Sequence, residues 1–322
     1  MRRRNFLASA LGLGASAAIP SWLQGAGYRK ETFTYKRVGN LALQLDAYRP
    51  ADERVAPVIV WIHGGALISG HRGNLRTAHL ERYMTEGFAV VSIDYRLAPE
   101  VKINSIIEDV QDAFRWVRYR GSAQLRIDPT RLAVMGHSAG GYLTLMTGIC
   151  IEPRPRALVS FYGYGDIAGE WYSRPDPFYS AQPHIERDEA LLAVGKSAIS
   201  EALGPDLRGR FYLYCRQTGR WPFEVAGHDP DKEPRAFDPY CPARNVTKQY
   251  PPTLLLHGDR DTDVPYQQSV QMAAELKRAG VEHELVTIPG GGHGFDGRVD
   301  DPAVAKAFER VLAFLQQHLK RN

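Results

Sequence analysis

The 322-residue sequence predicts an α/β fold: a mostly parallel sheet with an N-terminal antiparallel hairpin, helices on both faces and one inserted segment. Three features predict it. Short apolar runs alternate with stretches of helical period, which is how strands joined by crossover helices read. The first two β-rich runs are joined by Gly39-Asn40, a dipeptide suited to a tight hairpin. The alternation stops over residues 165–244, where Pro, Tyr, Trp, Asp and Arg crowd together, and then resumes.

The elements follow in order. Residues 32–38 and 41–48 form the hairpin. Residues 58–62 and 89–93 are continuous apolar runs, as expected of strands buried on both faces. A helix spans residues 105–119, with Ser105 and Glu108 at capping-box spacing. A strand at 132–135 leads into a helix at 139–149, and another strand follows at 157–161. The insertion at 165–244 has one helix-like piece near 188–203. Its aromatics would be costly to leave in water, which argues for a cap over a site. Residues 253–256 form a strand, 267–279 a helix ended by Gly280, 284–288 a strand and 302–319 the closing helix.

The N-terminus reads as an export signal over residues 1–27, with the folded domain at 28–322. Arg2, Arg3 and Arg4 precede an apolar, small-residue stretch from Phe6 to Ile19. The stretch is short for a transmembrane helix. Formal net charge is +4, and the N-terminal arginines carry most of it. The body therefore has no charge bias toward nucleic acid or anionic membranes. None of the three cysteines, Cys150, Cys215 and Cys241, has metal-ligand spacing, and Cys215 and Cys241 are the pair open to bridging. The glycine-rich segments lack the Lys-Ser/Thr pair of a phosphate loop. No metal or cofactor is expected.

Chemistry concentrates in Gly136-His137-Ser138-Ala139-Gly140. This is Gly-x-Ser-x-Gly between a predicted strand and a predicted helix. Glycines on either side allow a sharp turn that lifts the Ser138 hydroxyl above the sheet. A serine hydroxyl needs a base, and the base needs an orienting acid. His293, in Gly290-Gly291-Gly292-His293-Gly294 after the last strand, is the expected base; His257 competes. The acid lies in Asp259-Arg260-Asp261-Thr262-Asp263-Val264-Pro265, and the residues alone leave Asp259, Asp261 and Asp263 open. His63-Gly64-Gly65-Ala66 follows a buried strand and offers backbone amides, together with that of Ala139, to an oxyanion. Asp94-Tyr95-Arg96-Leu97-Ala98-Pro99-Glu100 reads as a charge-paired turn supporting these loops.

On these motifs the chain resembles the bacterial carboxylesterase branch of the α/β-hydrolases, near the hormone-sensitive-lipase-like and prolyl-oligopeptidase-like groups. The resemblance runs from about Glu31 to the C-terminus and is weakest in the insertion. It implies an α/β-hydrolase fold and Asp261 as the acid, four residues before Pro265. It also implies Gly65 and Ala66 as oxyanion donors, with Ala66 departing from the glycine usual at its position. Arg3-Arg4-Asn5-Phe6-Leu7 resembles a twin-arginine signal, implying a periplasmic or secreted protein.

The expected activity is hydrolysis of a small-molecule carboxylic ester through an acyl-serine. Tyr162, Tyr164 and Trp171 are candidate substrate contacts, though for any single aromatic of this region a place in the insertion's own core is the stronger expectation. A serine aminopeptidase or dipeptidyl peptidase would carry the same triad. A catalytically silent binding protein is a third reading, and the complete set Ser138, Asp261 and His293 argues against it.

Overall fold

The computed structural model describes residues 27–52, 54–202 and 205–320; the expected export signal lies outside the described residues, apart from Gly27. The predicted hairpin forms from β1 (Tyr28–Val38) and β2 (Leu41–Pro50), with Gly39 turning at φ +57°. The chain continues through β3 (Ala56–Ile62), α1 (Thr77–Thr85), β4 (Ala89–Ile93) and α2 (Ile103–Trp116). A short α3 (Ser122–Gln124) leads to β5 (Ile127–His137), α4 (Ala139–Cys150) and β6 (Ala157–Phe161). The insertion holds α5 (Glu170–Ser173), α6 (Pro177–Ser180), α7 (Arg187–Leu191), α8 (Pro205–Thr218) and α9 (Trp221–Ala226). The last part is β7 (Thr253–Gly258), α10 (Gln267–Arg278), β8 (His283–Ile288) and α11 (Pro302–Leu319).

The eight strands form one sheet in the order β1-β2-β4-β3-β5-β6-β7-β8. Pairings of β2 with β1 and β4 are antiparallel, and every later pairing is parallel. β3 shows why its sequence is apolar throughout. Val58, Val60 and Ile62 pack on one side with α2, α4 and α10; Ile59 and Trp61 pack on the other with α1 and α11. Both faces are removed from water, so alternation is absent.

Two local expectations need correction. Residues Ser105 and Glu108 do not cap α2, which begins at Ile103 after Lys102. Ser105 already donates its backbone N–H to the Lys102 carbonyl, and Glu108 pairs with Arg96. The helix-like piece at 188–203 ends early, as α7, and the main helices of the insertion are α8 and α9. Helix α1, between β3 and β4, adds an element that the sequence pattern did not mark. Among the described residues, no helix is long and apolar enough to cross a membrane.

Parallel strands bring the loops after β3, β5, β6, β7 and β8 to one edge of the sheet. Ligands of open α/β sheets bind beyond this carboxyl edge. Every chemically suggestive motif of the sequence falls there.

Candidate active site

Ser138 joins β5 to α4 in a conformation L-residues rarely adopt, φ 56° and ψ −121°. Such strain costs about 1–3 kcal/mol and persists only where the surroundings enforce it. Two glycines enforce it. A Cβ on Gly136 would lie 2.2 Å from the Gly140 carbonyl oxygen, and one on Gly140 would lie 2.0 Å from that of Ile62. Backbone therefore packs on backbone beneath the serine, and any side chain there would open the turn.

His293 arrives on the glycine-rich loop after β8. Its Nε2 lies 3.0 Å from Ser138 Oγ, and its Nδ1 lies 2.8 Å from Asp261 Oδ2. Asp261 is fixed from behind: Oδ1 accepts the backbone N–H groups of Asp263 (2.9 Å) and Val264 (3.0 Å). His257 Nε2 stands 3.3 Å from the same oxygen, Asp261 Oδ2. These contacts hold the Asp261 carboxyl well below the usual carboxylate range despite burial. The His293 imidazole is raised above its ordinary value: desolvation lowers it, but the Asp261 hydrogen bond and the charges of Asp263, Asp261 and Asp296 outweigh that.

The three aspartates left open by the sequence thus take separate places. Asp259 Oδ1 accepts the Gly290 N–H at 2.7 Å and ties the β7 loop to the β8 loop. Asp261 faces Nδ1 of His293. Asp263 faces the cavity, its Oδ2 3.4 Å from His293 Nε2. His257 is fully buried, with Nδ1 2.7 Å from Ser269 Oγ and Nε2 3.0 Å from the Val264 carbonyl. It lies behind the acid, away from the serine.

Gly64, Gly65 and Ala66 wall the same cavity of about 800 Å³ as Ser138 and His293. Gly65 has φ +108°, and its carbonyl accepts the N–H groups of Ile68 and Ser69, each at 2.9 Å. Ala66 takes φ 53° without being glycine, and Trp221 of α9 donates its indole N–H to the Ala66 carbonyl at 2.9 Å. The insertion thereby holds the loop whose third position lacks glycine. Ala139 supplies the first amide of α4, where the helix dipole favours negative charge. The charge-paired turn after β4 braces this group: Tyr95 stacks on the His63 ring and donates to the His63 carbonyl at 2.9 Å.

The candidate substrate contacts separate. Tyr162 lines the cavity, with φ 37° and its ring edge-on to His293 at 4.6 Å between centroids. Tyr164 is fully buried and stacks on Tyr142. Trp171 stacks on Tyr172 in the insertion. Neither Tyr164 nor Trp171 lines the cavity; both fill the interior between insertion and sheet.

A polar cluster not foreseen from the sequence closes one end of the cavity. Tyr162 donates its hydroxyl to Asp296 Oδ1 at 2.5 Å, and Arg76 donates Nε–H to Oδ2 at 3.1 Å. His79, His137 and Asp296 each place an atom within 4.8 Å of the others, a spacing that invites comparison with a metal site. Their hydrogen bonds do not suit one. Trp61 donates its indole N–H to His137 Nδ1 at 3.1 Å, so the proton of neutral His137 sits on Nε2. His79 donates Nε2–H to the Asp296 carbonyl at 3.1 Å, leaving a single imidazole lone pair toward the cluster. Burial holds both imidazoles below their ordinary value, His79 at about 4. The signal available in the sequence was only the position of Asp296, three residues after His293. All three cysteines are unbridged, including Cys215 and Cys241.

Comparison with known proteins agrees with this architecture. Residues 45–155 match the BD-FAE family, and residues 209–322 match the prolyl oligopeptidase family. Esterase LipC of Mycobacterium tuberculosis is 29% identical over 282 residues, covering 85% of this chain and 62% of the relative. Non-reducing polyketide synthase Preu6 of Preussia isomera is 27% identical over 303 residues, covering 84% of this chain. The chain spans only 14% of the length of that synthase. A solved esterase from Pyrobaculum calidifontis is 26% identical, with a TM-score of 0.65 over 90% of this chain and 85% of that one. An alpha/beta hydrolase superfamily protein from Enterococcus faecalis, 23% identical, shares the fold at a TM-score of 0.71 over 90% of this chain and 99% of that one.

Proposed function

We propose that this chain, an α/β-hydrolase-fold protein related to esterases and hydrolases, is a serine hydrolase that cleaves carboxylic esters through an acyl-serine intermediate. One observation carries the reading: the continuous path Ser138 Oγ–His293 Nε2 (3.0 Å), His293 Nδ1–Asp261 Oδ2 (2.8 Å), ending on a strained strand-to-helix turn. Serine, base and orienting acid in this relation are what acyl transfer requires.

In this reading Asp261 keeps the neutral proton of His293 on Nδ1. Nε2 then accepts the Ser138 proton as Oγ bonds to the ester carbon. Negative charge moves to the carbonyl oxygen, toward the amides of Gly65, Ala66 and Ala139. The imidazolium returns its proton to the leaving alcohol as the C–O bond breaks. Water then attacks the acyl-enzyme, with His293 again the base, and Ser138 is regenerated.

The cavity of about 800 Å³ sets Asn74 and Asp263 beside Trp61, Ala66 and Ile68, so it offers both polar and apolar contacts to a small ester. A fold neighbour, a carbohydrate esterase from gut microbiota at 22% identity, makes acetylated sugars a sensible part of a substrate screen. The test is covalent labelling of folded protein with a fluorophosphonate. Ser138 should label and S138A should not; an unlabelled wild type overturns the reading.

The match of residues 209–322 to the prolyl oligopeptidase family favours a second reading, peptide hydrolysis by the same residues. Turnover of short p-nitrophenyl esters against aminoacyl-p-nitroanilides separates the two, and a preference for anilides selects the peptidase. Export by a twin-arginine signal, to a periplasmic or secreted site, is part of the same proposal. Its support is the sequence Arg3-Arg4-Asn5-Phe6-Leu7, and substituting both arginines should retain the protein in the cytoplasm.

A further inference from the structure

Asp263 has no part in the reaction above, yet it is built into the site with care. Its Oδ1 accepts three donors from the insertion: Tyr179 Oη at 2.8 Å, Tyr212 Oη at 2.5 Å and Arg216 at 2.9 Å. Arg216 also donates to the Asp263 carbonyl at 2.9 Å and to Asp176 at 2.7 Å. The Arg216 side chain is wholly buried, with Trp171, Tyr172, Tyr179 and Tyr212 around its guanidinium. Oδ1 is therefore saturated and the carboxylate cannot rotate freely. Oδ2 is left facing His293 Nε2 at 3.4 Å, from the cavity side.

The consequence depends on the protonation of Nε2. In the neutral base, Nε2 presents a lone pair, and a carboxylate oxygen nearby gains nothing. Once Nε2 has taken the serine proton, it carries an N–H and a positive charge, and Asp263 Oδ2 becomes an acceptor and counter-charge. The interaction is stronger after proton transfer than before, which is the condition for lowering a barrier. It needs no reorganisation, because the insertion has already fixed the carboxylate.

We propose that Asp263 is a positioning residue, through which the insertion stabilises the protonated form of His293 from the Nε2 side while Asp261 does so from Nδ1. The proposal rests on the serine-hydrolase reading. Around His293, the β7 loop supplies Asp261 and Asp263; the β8 loop supplies Asp296. The nucleophile turn supplies Ser138 and His137, and the end of β6 supplies Tyr162. The insertion acts through Asp263 by way of Tyr179, Tyr212 and Arg216. The raised imidazole is consistent with these charges.

The test is the pH profile of ester hydrolysis by the full chain carrying Asp263→Asn. Asparagine keeps an oxygen for the tyrosines, removes the counter-charge and uncovers the Arg216 cation. The acidic limb of kcat/KM should move to lower pH by about one unit, with the plateau kcat falling about tenfold. A limb that moves by less than about 0.2 unit in folded, active D263N overturns the proposal, because a merely structural role would leave the base unshifted. If D263N does not fold, D263S is read by the same outcomes. Fluorophosphonate labelling of Ser138 is run on the same samples. Absence of labelling in the wild type is a failure of the hydrolase reading; labelling with an unmoved limb is a failure of Asp263 alone.

Discussion

Replacing Asp261 by asparagine tests the site most directly, because the structure dictates how the amide must sit. Asp261 Oδ1 accepts two backbone N–H groups, from Asp263 and Val264, at 2.9 and 3.0 Å. An amide nitrogen placed there would meet two donors. The asparagine oxygen therefore takes the Oδ1 position, and its NH₂ takes that of Oδ2, 2.8 Å from His293 Nδ1. A donor at that place makes Nδ1 an acceptor and drives the imidazole proton to Nε2. The base then meets Ser138 with an N–H instead of a lone pair and cannot take its proton. The carboxylate is also lost as partner to the imidazolium. A tautomer switch of this kind costs about 10⁴ in kcat, or about 5 kcal/mol of barrier. The assay is hydrolysis of a short p-nitrophenyl ester, with fluorophosphonate labelling rate as a second readout and a thermal melt to confirm folding. Folded D261N within tenfold of wild-type kcat would refute the reasoning. So would a greater loss in Asp296→Asn than in D261N, since that would move the orienting role to the acid held by Tyr162 and Arg76.

Three further outcomes follow from the same geometry. Gly140→Ala should destabilise by at least about 3 kcal/mol or abolish folding, because its Cβ would meet the Ile62 carbonyl oxygen at 2.0 Å, whereas Gly292→Ala, with only the Arg260 carbonyl at 3.9 Å, should stay near wild type in melting temperature. Trp221→Phe keeps an aromatic side chain but loses the indole N–H and its 2.9 Å bond to the Ala66 carbonyl, and kcat should fall several-fold with little change in KM; an unchanged kcat would release the oxyanion loop from dependence on the insertion. Burial pushes the His63 imidazole down to about 3, so between that value and about 6.5 the unfolded chain binds a proton that the folded chain does not. Stability should therefore fall as pH falls through this window, by about 1.4 kcal/mol per unit for this residue, and denaturant titrations from pH 7 down to 5 on wild type and His63→Asn should show a shallower fall in the variant.

What could be read from the sequence was whatever is written locally. Ser138 and His293 sit on short glycine-rich turns directly after apolar strands, so motif and context lie within a few residues of each other. Asp261 was harder. Three aspartates occupy one loop, and which of them meets the base depends on how Oδ1 is bound by the next two amides, a contact that spacing does not encode. Asp296, Arg76 and His79 were invisible for a related reason: their cluster joins the start of α1 to the loop after β8, more than 200 residues away in sequence. The insertion was hard to read for a different reason. Its aromatics could wall a substrate or fill the interior, and composition does not separate the two; Tyr164 and Trp171 fill the interior. The residue that organises it is Arg216, and an arginine in sequence reads as surface, since full burial requires partners that only the fold supplies.

Those partners explain how the insertion would act in the proposed chemistry. A segment of short helices on a sheet edge would ordinarily be free to move relative to the loops below it. Here it is fastened at both sides of Ser138: Trp221 holds the Ala66 carbonyl on the oxyanion side, and Arg216 with Tyr212 and Tyr179 holds Asp263 on the base side. The two fastenings are chemically unlike. The indole bond fixes a strained backbone, while the arginine bonds fix a charge. A substitution that loosens the first should lower the rate at every pH, because it disturbs where the oxyanion forms. A substitution that loosens the second should change how the rate depends on pH, because it alters the cost of protonating the base. The two variants at Trp221 and Asp263 therefore divide the insertion's influence into two parts that one substrate and one pH series can tell apart.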